Sequence, residues 1–236
     1  MTSFKQLIEF FYPTRCLVCK QFGAVVHPQC ESKLPYVKEP FCHQCSAPLQ
    51  TGDKRCHSPL CDLPDSYRAL TGVRSVFWHE AAGREAVLRL KYRGVASLRD
   101  WAAKEAAEAL NRFQLAGHFD AVMAVPLHQQ HLRQRGYNQA GIVAAAMAPR
   151  LRRPYQGQRL VRQRPTTSQV QLNARQRASN VRDAFRWTGA PLSGQRILLF
   201  DDVCTTGATL NECARSLKAA GAGEVWALTL TREYLK

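Results

Sequence analysis

Leu198-Leu199-Phe200-Asp201-Asp202-Val203-Cys204-Thr205-Thr206-Gly207-Ala208-Thr209 is the stretch on which the reading of this chain turns. Residues 197–200 are uniformly apolar, as a strand buried on both faces of a parallel sheet requires. Two acids follow at the carboxyl end of that strand, and residues 205–209 open a helix. In open α/β sheets, ligands settle outside the carboxyl ends of the strands. A helix N-terminus placed there offers unpaired N–H groups and the positive end of a dipole, which suit a phosphate. The threonine hydroxyls add donors, and Gly207 lets the backbone come close to a ligand. Two adjacent carboxylates are costly in such a place unless they meet hydroxyls or a metal. Cys204 has no neighbouring base in the sequence and reads as a small space-filling residue. Cys213, on the helix that follows, reads as a core residue.

Outward from this loop, strand and helix signals alternate. Strands are expected over 73–79, 120–126, 196–200 and 225–231, and helices over 81–92, 98–113, 138–151 and 209–220. Apolar strands alternating with helices imply an α/β fold, a parallel sheet flanked by helices. Residues 165–180 are rich in Gln, Ser, Thr and Arg without any period, and read as a long loop. At the other end, residues 1–12 carry apolar side chains at 4, 7, 8, 10 and 11, interrupted by Lys5 and Glu9. They read as a short amphipathic helix packing on the body, with a peripheral membrane helix as the lesser alternative, and not as a signal peptide. No apolar run approaches the roughly 18–20 residues that span a bilayer, so no stable membrane span is expected and the expected location is cytoplasmic.

Charge is concentrated. The chain of 236 residues has a formal net charge of +15, and residues 130–186 hold 12 Arg, no Lys and the single acid Asp183. The first 66 residues carry seven basic and six acidic side chains. An arginine-only stretch points to phosphate, on a nucleotide or on a nucleic-acid backbone, because guanidinium makes bidentate phosphate contacts that an ammonium cannot.

Seven of the nine cysteines lie between 16 and 61, and six of them are paired as Cys16-x2-Cys19, Cys42-x2-Cys45 and Cys56-x4-Cys61. Without a secretion signal such pairs read as zinc knuckles, not disulfides. Cys42, Cys45, Cys56 and Cys61 make one set of four ligands. Cys16 and Cys19 are completed by His27 and Cys30, which have knuckle spacing with His in the first place. His43 and His57 read as bystanders. Zn2+ is thus expected as one or two structural ions. Residues 1–65, loop-rich and too short to hold a core alone, form the zinc module, and residues 66–236 the α/β domain.

The acidic-threonine loop resembles the signature of type I phosphoribosyltransferases. Other segments add to it in order: Leu90-Lys91-Tyr92-Arg93-Gly94, then Arg133-Gln134-Arg135-Gly136-Tyr137-Asn138-Gln139, then Gln169-x2-Leu172-x2-Arg175-x-Arg177-x2-Asn180. Together with the cysteine pairs, they resemble the ComF family of competence-associated proteins, GntX-type DNA-utilisation proteins included. ComF proteins usually carry Cys where this chain has His27. The resemblance implies that Asp201 and Asp202 hold the ribose 2′- and 3′-hydroxyls of 5-phosphoribosyl-1-pyrophosphate (PRPP) as the catalytic pair. It also implies that Thr205, Thr206, Gly207, Ala208 and Thr209 cradle the 5-phosphate. Lys91, Arg133, Arg135 and Gly136 would face the pyrophosphate with its Mg2+. Loop 165–180 would close as a flap carrying Gln169, Arg175 and Arg177, although these arginines could equally follow a nucleic-acid backbone. Asn138 and Gln139 could simply cap the helix they precede. The implied activity is Mg2+-dependent transfer from PRPP, tied to DNA uptake. The rival reading is a non-catalytic protein that binds single-stranded DNA through 130–186, or an adaptor that meets a helicase-like or DNA-uptake partner through its zinc module.

Overall fold

Four parallel strands build the sheet, in the order Gly72–Trp78, Glu224–Arg232, Arg196–Cys204 and Ala121–Ala124. The computed structural model describes residues 14–50, 56–92, 96–164 and 180–233. Along the chain run β1 (Gly72–Trp78), α1 (Ala81–Tyr92), α2 (Ala96–Arg112), β2 (Ala121–Ala124), α3 (Gln129–Arg135) and α4 (Gln139–Met147). A small antiparallel pair follows, β3 (Leu160–Arg162) with β4 (Phe185–Trp187), and then β5 (Arg196–Cys204), α5 (Ala208–Ala219) and β6 (Glu224–Arg232). The expected N-terminal helix over 1–12 lies outside the described residues.

Period-two burial divides β5 between two cores. Leu198 and Phe200 face α1, α2 and α4, where Ala102, Ala103, Ala106 and Ala109 of α2 pack with Ala140, Val143 and Ala144 of α4. The alanines let helix and sheet approach closely without leaving voids. Ile197 and Leu199 point the other way, onto Leu210, Cys213, Ala214 and Leu217 of α5 and onto the β3–β4 pair through Leu160 and Phe185. At the foot of the sheet Asp120 clamps the start of β5, since its carboxylate accepts from the Arg196 backbone N–H at 2.9 Å and from the guanidinium at 2.9 and 3.2 Å.

The cysteine-rich segment straddles the open edge of β1. Val37 N–H donates to Val76 O, Trp78 N–H to Pro35 O and Val73 N–H to Gln44 O, at 2.7–3.0 Å. Leu17 and Leu34 join the core on the α1 and α2 face, whereas Cys42, Cys45 and Leu60 join the core on the α5 face. A buried pair on the first side links the segments again: Tyr36 Oη donates to Glu105 of α2 at 2.8 Å. Burial pushes the Glu105 carboxyl above its usual range.

Three features differ from the expected elements. Strand β5 runs on through Asp201 and Asp202 to Cys204, because β6 stays paired with it as far as Cys204↔Arg232. The helix expected over 138–151 ends at Met147 and tightens into a 3-10 turn, Ala148–Leu151, at Pro149. Helix α3 and the β3–β4 pair were not foreseen.

Candidate functional site

The carboxyl ends of the strands surround a cavity of about 550 Å³. Asp201 and Asp202 enter it from β5, Lys91 from the end of α1, Arg135 from α3, and residues 205–209 from the turn into α5. Of the expected residues, Arg133 and Gly136 are not in the lining: Arg133 is exposed on α3, and Gly136 ends that helix at φ 77°. Gln169, Arg175 and Arg177 lie outside the described residues.

The two acids have different surroundings. Asp202 is buried, pairs with Lys91 Nζ at 3.2 Å and accepts from Gln139 Nε2 at 3.2 Å. Asp201 accepts the Asp202 backbone N–H through Oδ1 at 2.8 Å. Burial, and then the charge of Asp202, raise the Asp201 carboxyl well above its ordinary range. A site that desolvates a carboxylate beside a second one favours a partner that brings hydroxyls or positive charge.

Gln139 is in turn oriented by Arg135 Nη1, which donates to its Oε1 at 3.1 Å. Asn138 Nδ2 donates to Val125 O at 2.9 Å, fixing α4 to the end of β2. Neither amide caps its helix: Asn138 stands at the N-cap position with no side-chain cap bond. Their work is to bind the β2 and β5 ends to α3 and α4.

Residues 205–209 turn tightly. Gly207 has φ +79°, in the left-handed region that favours glycine, and Thr206 Oγ1 accepts from the Ala208 N–H at 3.3 Å. Beneath the turn lies Arg232, 1% exposed, which donates to Cys204 O at 3.0 Å and to Thr205 O. No local signal in the sequence marks Arg232 as a support for this loop. Cys204 and Cys213 are buried, and burial pushes both thiols up, which suits packing and not nucleophilic attack. Further lining comes from His79, His131, Arg162 and Glu233, none of them foreseen.

The expected cysteine and histidine ligands converge as two clusters. In Cys16, Cys19, His27 and Cys30, and in Cys42, Cys45, Cys56 and Cys61, the ligand atoms all lie within 4.8 Å of one another. Sulfur pairs Cys42–Cys61 and Cys45–Cys56 are 3.6 Å apart. Four thiolates at 2.3 Å around a tetrahedral zinc would be separated by about 3.8 Å, whereas a disulfide needs about 2.0 Å. His27 Nδ1 is 3.4 Å from Cys19 Sγ, and its Nε2 is 3.1 Å from Phe22 O. A proton on Nε2 donated to that carbonyl leaves Nδ1 as the ligand atom, the second-sphere arrangement of zinc histidines. Both donor sets fit structural zinc. His43 and His57 stand outside the clusters.

The loop that carries the second cysteine cluster touches the turn that lines the cavity. Leu60, between Cys56 and Cys61 and 1% exposed, lies against Gly207, where a Cβ would meet Leu60 Cδ2 at 3.2 Å. The side chain of a zinc-ribbon residue therefore forms the back wall of the turn between β5 and α5.

Comparison with known proteins matches residues 7–62 to the double zinc ribbon domain and residues 137–233 to the phosphoribosyl transferase domain. The chain is 35% identical over 114 residues to the DNA utilization protein YhgH of Escherichia coli K12, covering 48% of this chain and 50% of that protein. It thus spans about half the length of that relative. It is 27% identical over 232 residues to competence protein F of Haemophilus influenzae, covering 92% of this chain and 97% of the relative. It is also 27% identical over 206 residues to competence protein ComFC of Bacillus subtilis, covering 86% and 82%. No helix among the described residues is long and apolar enough to cross a membrane.

Proposed function

From a chain that joins a double zinc ribbon to a phosphoribosyl transferase domain, and is a homologue of competence protein F and ComFC, we propose a PRPP-binding phosphoribosyltransferase that serves DNA uptake or the use of DNA in the cytoplasm. One observation carries the reading. Two adjacent carboxylates at a strand end, a lysine, and a helix-opening threonine turn all line a single cavity. Asp201 and Asp202 hold the ribose hydroxyls. Thr205, Thr206, Gly207, Ala208 and Thr209 take the 5-phosphate. Lys91, now paired with Asp202, and Arg135 turn to the pyrophosphate, which brings its own Mg2+. Arg133 and Gly136, outside the cavity lining, add to the anion-binding end, and the resemblance assigns Gln169, Arg175 and Arg177 to the same ligand. Among the described lining residues the one thiol, Cys204, is buried with its pKa raised, so rate enhancement comes from holding C1 open to attack and neutralising the departing pyrophosphate. Zinc at the two clusters is structural.

Calorimetric titration with PRPP and Mg2+ tests this. The intact protein should give a binding isotherm that Asp201→Asn/Asp202→Asn weakens at least tenfold; no heat from the intact protein refutes the proposal. A second role is favoured by the exposure of Arg133, Arg150, Arg152, Arg159, Arg164, Arg182 and Arg186. These would follow the phosphates of single-stranded DNA or face a helicase-like partner. Binding to labelled single strands should then fall steeply with salt, and a flat response rejects backbone contact.

A further inference from the structure

We propose that His79 is the proton acceptor for the nucleophile that attacks C1 of PRPP, acting through Nε2. The inference rests on the PRPP reading above and names the group that reading lacks. Between Asp202 and the start of α5 run Val203-Cys204, the end of β5, and the turn Thr205-Thr206-Gly207, without a single acid or imidazole. Asp202 is already engaged by Lys91 and Gln139, and both acids are committed to the ribose. Among the described residues, two imidazoles line the cavity, His79 and His131. His131 is exposed on α3, with only Gln134 Oε1 at 3.4 Å from its Nδ1.

His79 is held in place. It follows directly on β1, and its backbone N–H donates to Arg232 O at 2.7 Å. Its Nδ1 is 2.9 Å from Thr231 Oγ1, and Thr231 Oγ1 donates to Asp202 O at 3.2 Å. A hydroxyl has one hydrogen, and a carbonyl can only accept it. With that hydrogen given to Asp202 O, Nδ1 must carry the proton shared with Thr231. Nε2 is then the unprotonated nitrogen, with its lone pair available to a substrate.

The charge around the ring keeps it ready to accept. Burial lowers its pKa from the ordinary value, Lys91 and Arg84 of α1 push the same way, and Glu233 beyond β6 and Asp202 of β5 oppose them. The ring is therefore neutral at neutral pH, and Glu233, lining the same cavity, favours the imidazolium once formed. In the step itself the C1–O bond to pyrophosphate breaks and its electron pair leaves with pyrophosphate. A nitrogen or water oxygen forms the new bond to C1, and its proton passes to Nε2 and then to solvent. An acceptor that needs this help is one whose N–H is not ionised at neutral pH, such as an amine or an uncharged heterocycle.

The test uses the full-length zinc-loaded protein, PRPP with Mg2+, and water as the acceptor, with pyrophosphate release and PRPP affinity measured side by side. His79→Asn keeps a side-chain N–H near the position of Nδ1 while removing the base. It should bind PRPP within about threefold of the parent, release pyrophosphate roughly a hundredfold more slowly, and lose the fall in rate on the acid side of the pH profile. If His79→Asn changes PRPP affinity or melting temperature, His79→Ala decides: added imidazole should restore release. Binding with unchanged release and pH profile in His79→Asn, or no rescue of His79→Ala, overturns the proposal and leaves PRPP binding standing. So does an intact protein that binds PRPP and releases no pyrophosphate, or a comparable loss confined to Glu233→Gln. Failure of the intact protein to bind PRPP removes the underlying reading instead.

Discussion

A side chain on the phosphate turn would meet two separate obstacles at Gly207. Its φ of +79° disfavours any L-residue, and a Cβ would stand 3.2 Å from Leu60 Cδ2, which would have to give by a few tenths of an ångström. Gly207→Ala should cost about 1–2 kcal/mol for the left-handed backbone, with a further loss from the contact. Denaturant melts should show Leu60→Ala recovering only the contact share. Full recovery in the double variant would mean that the backbone bears no strain. Here the sequence was informative about chemistry and silent about support. Asp201, Asp202 and the threonines announce themselves by their order, and Lys91 by its place in a familiar succession of segments. Arg232 could not be found that way. It closes an apolar strand, where an arginine ordinarily reaches solvent, and only the fold turns it inward beneath Cys204 and Thr205. Leu60 is equally mute, one apolar residue among cysteines. His79 gains meaning only when β6 sets Thr231 beside it.

Long periodic elements were legible and short ones were not. The unbroken apolar run over residues 197–200 and the alanine spacing of α2 announced strand and helix, the one by its continuity and the other by its period. Strands β3 and β4 have three residues each, too few for a period, and helix α3 has a run of polar residues with a single leucine. The end of β5 was missed because pairing with β6, a tertiary contact, carries the strand past its two acids. One element-level link is open to measurement through pH. Arg196 hydrogen bonds, on side chain and backbone, hold the Asp120 carboxyl down at about 2. Its folded pKa lies below the unfolded one, so the link stabilises the fold above about pH 4 and is lost as pH falls through about 2. Both partners are partly exposed, so solvent screening keeps the contribution small. Asp120→Asn should lower stability slightly at pH 7 and flatten its decline between pH 4 and pH 2. An unchanged decline would assign the acid sensitivity to other carboxylates.

At the level of the whole molecule, Leu60 joins the second cysteine cluster's loop to the phosphate turn. Emission spectrometry should find two zinc ions per chain. Cys45→Ser should leave one, lower the melting temperature by several degrees, and weaken PRPP binding more than Cys19→Ser does, because Leu60 lies within the second cluster's ligand loop. Equal effects of the two variants on PRPP would break the link between that loop and the phosphate turn. The knuckles also perform a service unrelated to ligands. β1 is the outer strand of the sheet, and Val37, Trp78 and Val73 carry the hydrogen bonds that connect it to the cysteine-rich segment. An outer strand stripped of such a cover is a template for another copy of itself. Chelation should therefore produce strand-paired aggregates that bind thioflavin T, and an apo-protein that stays monomeric by light scattering would mean that the zinc ribbon does not guard this edge.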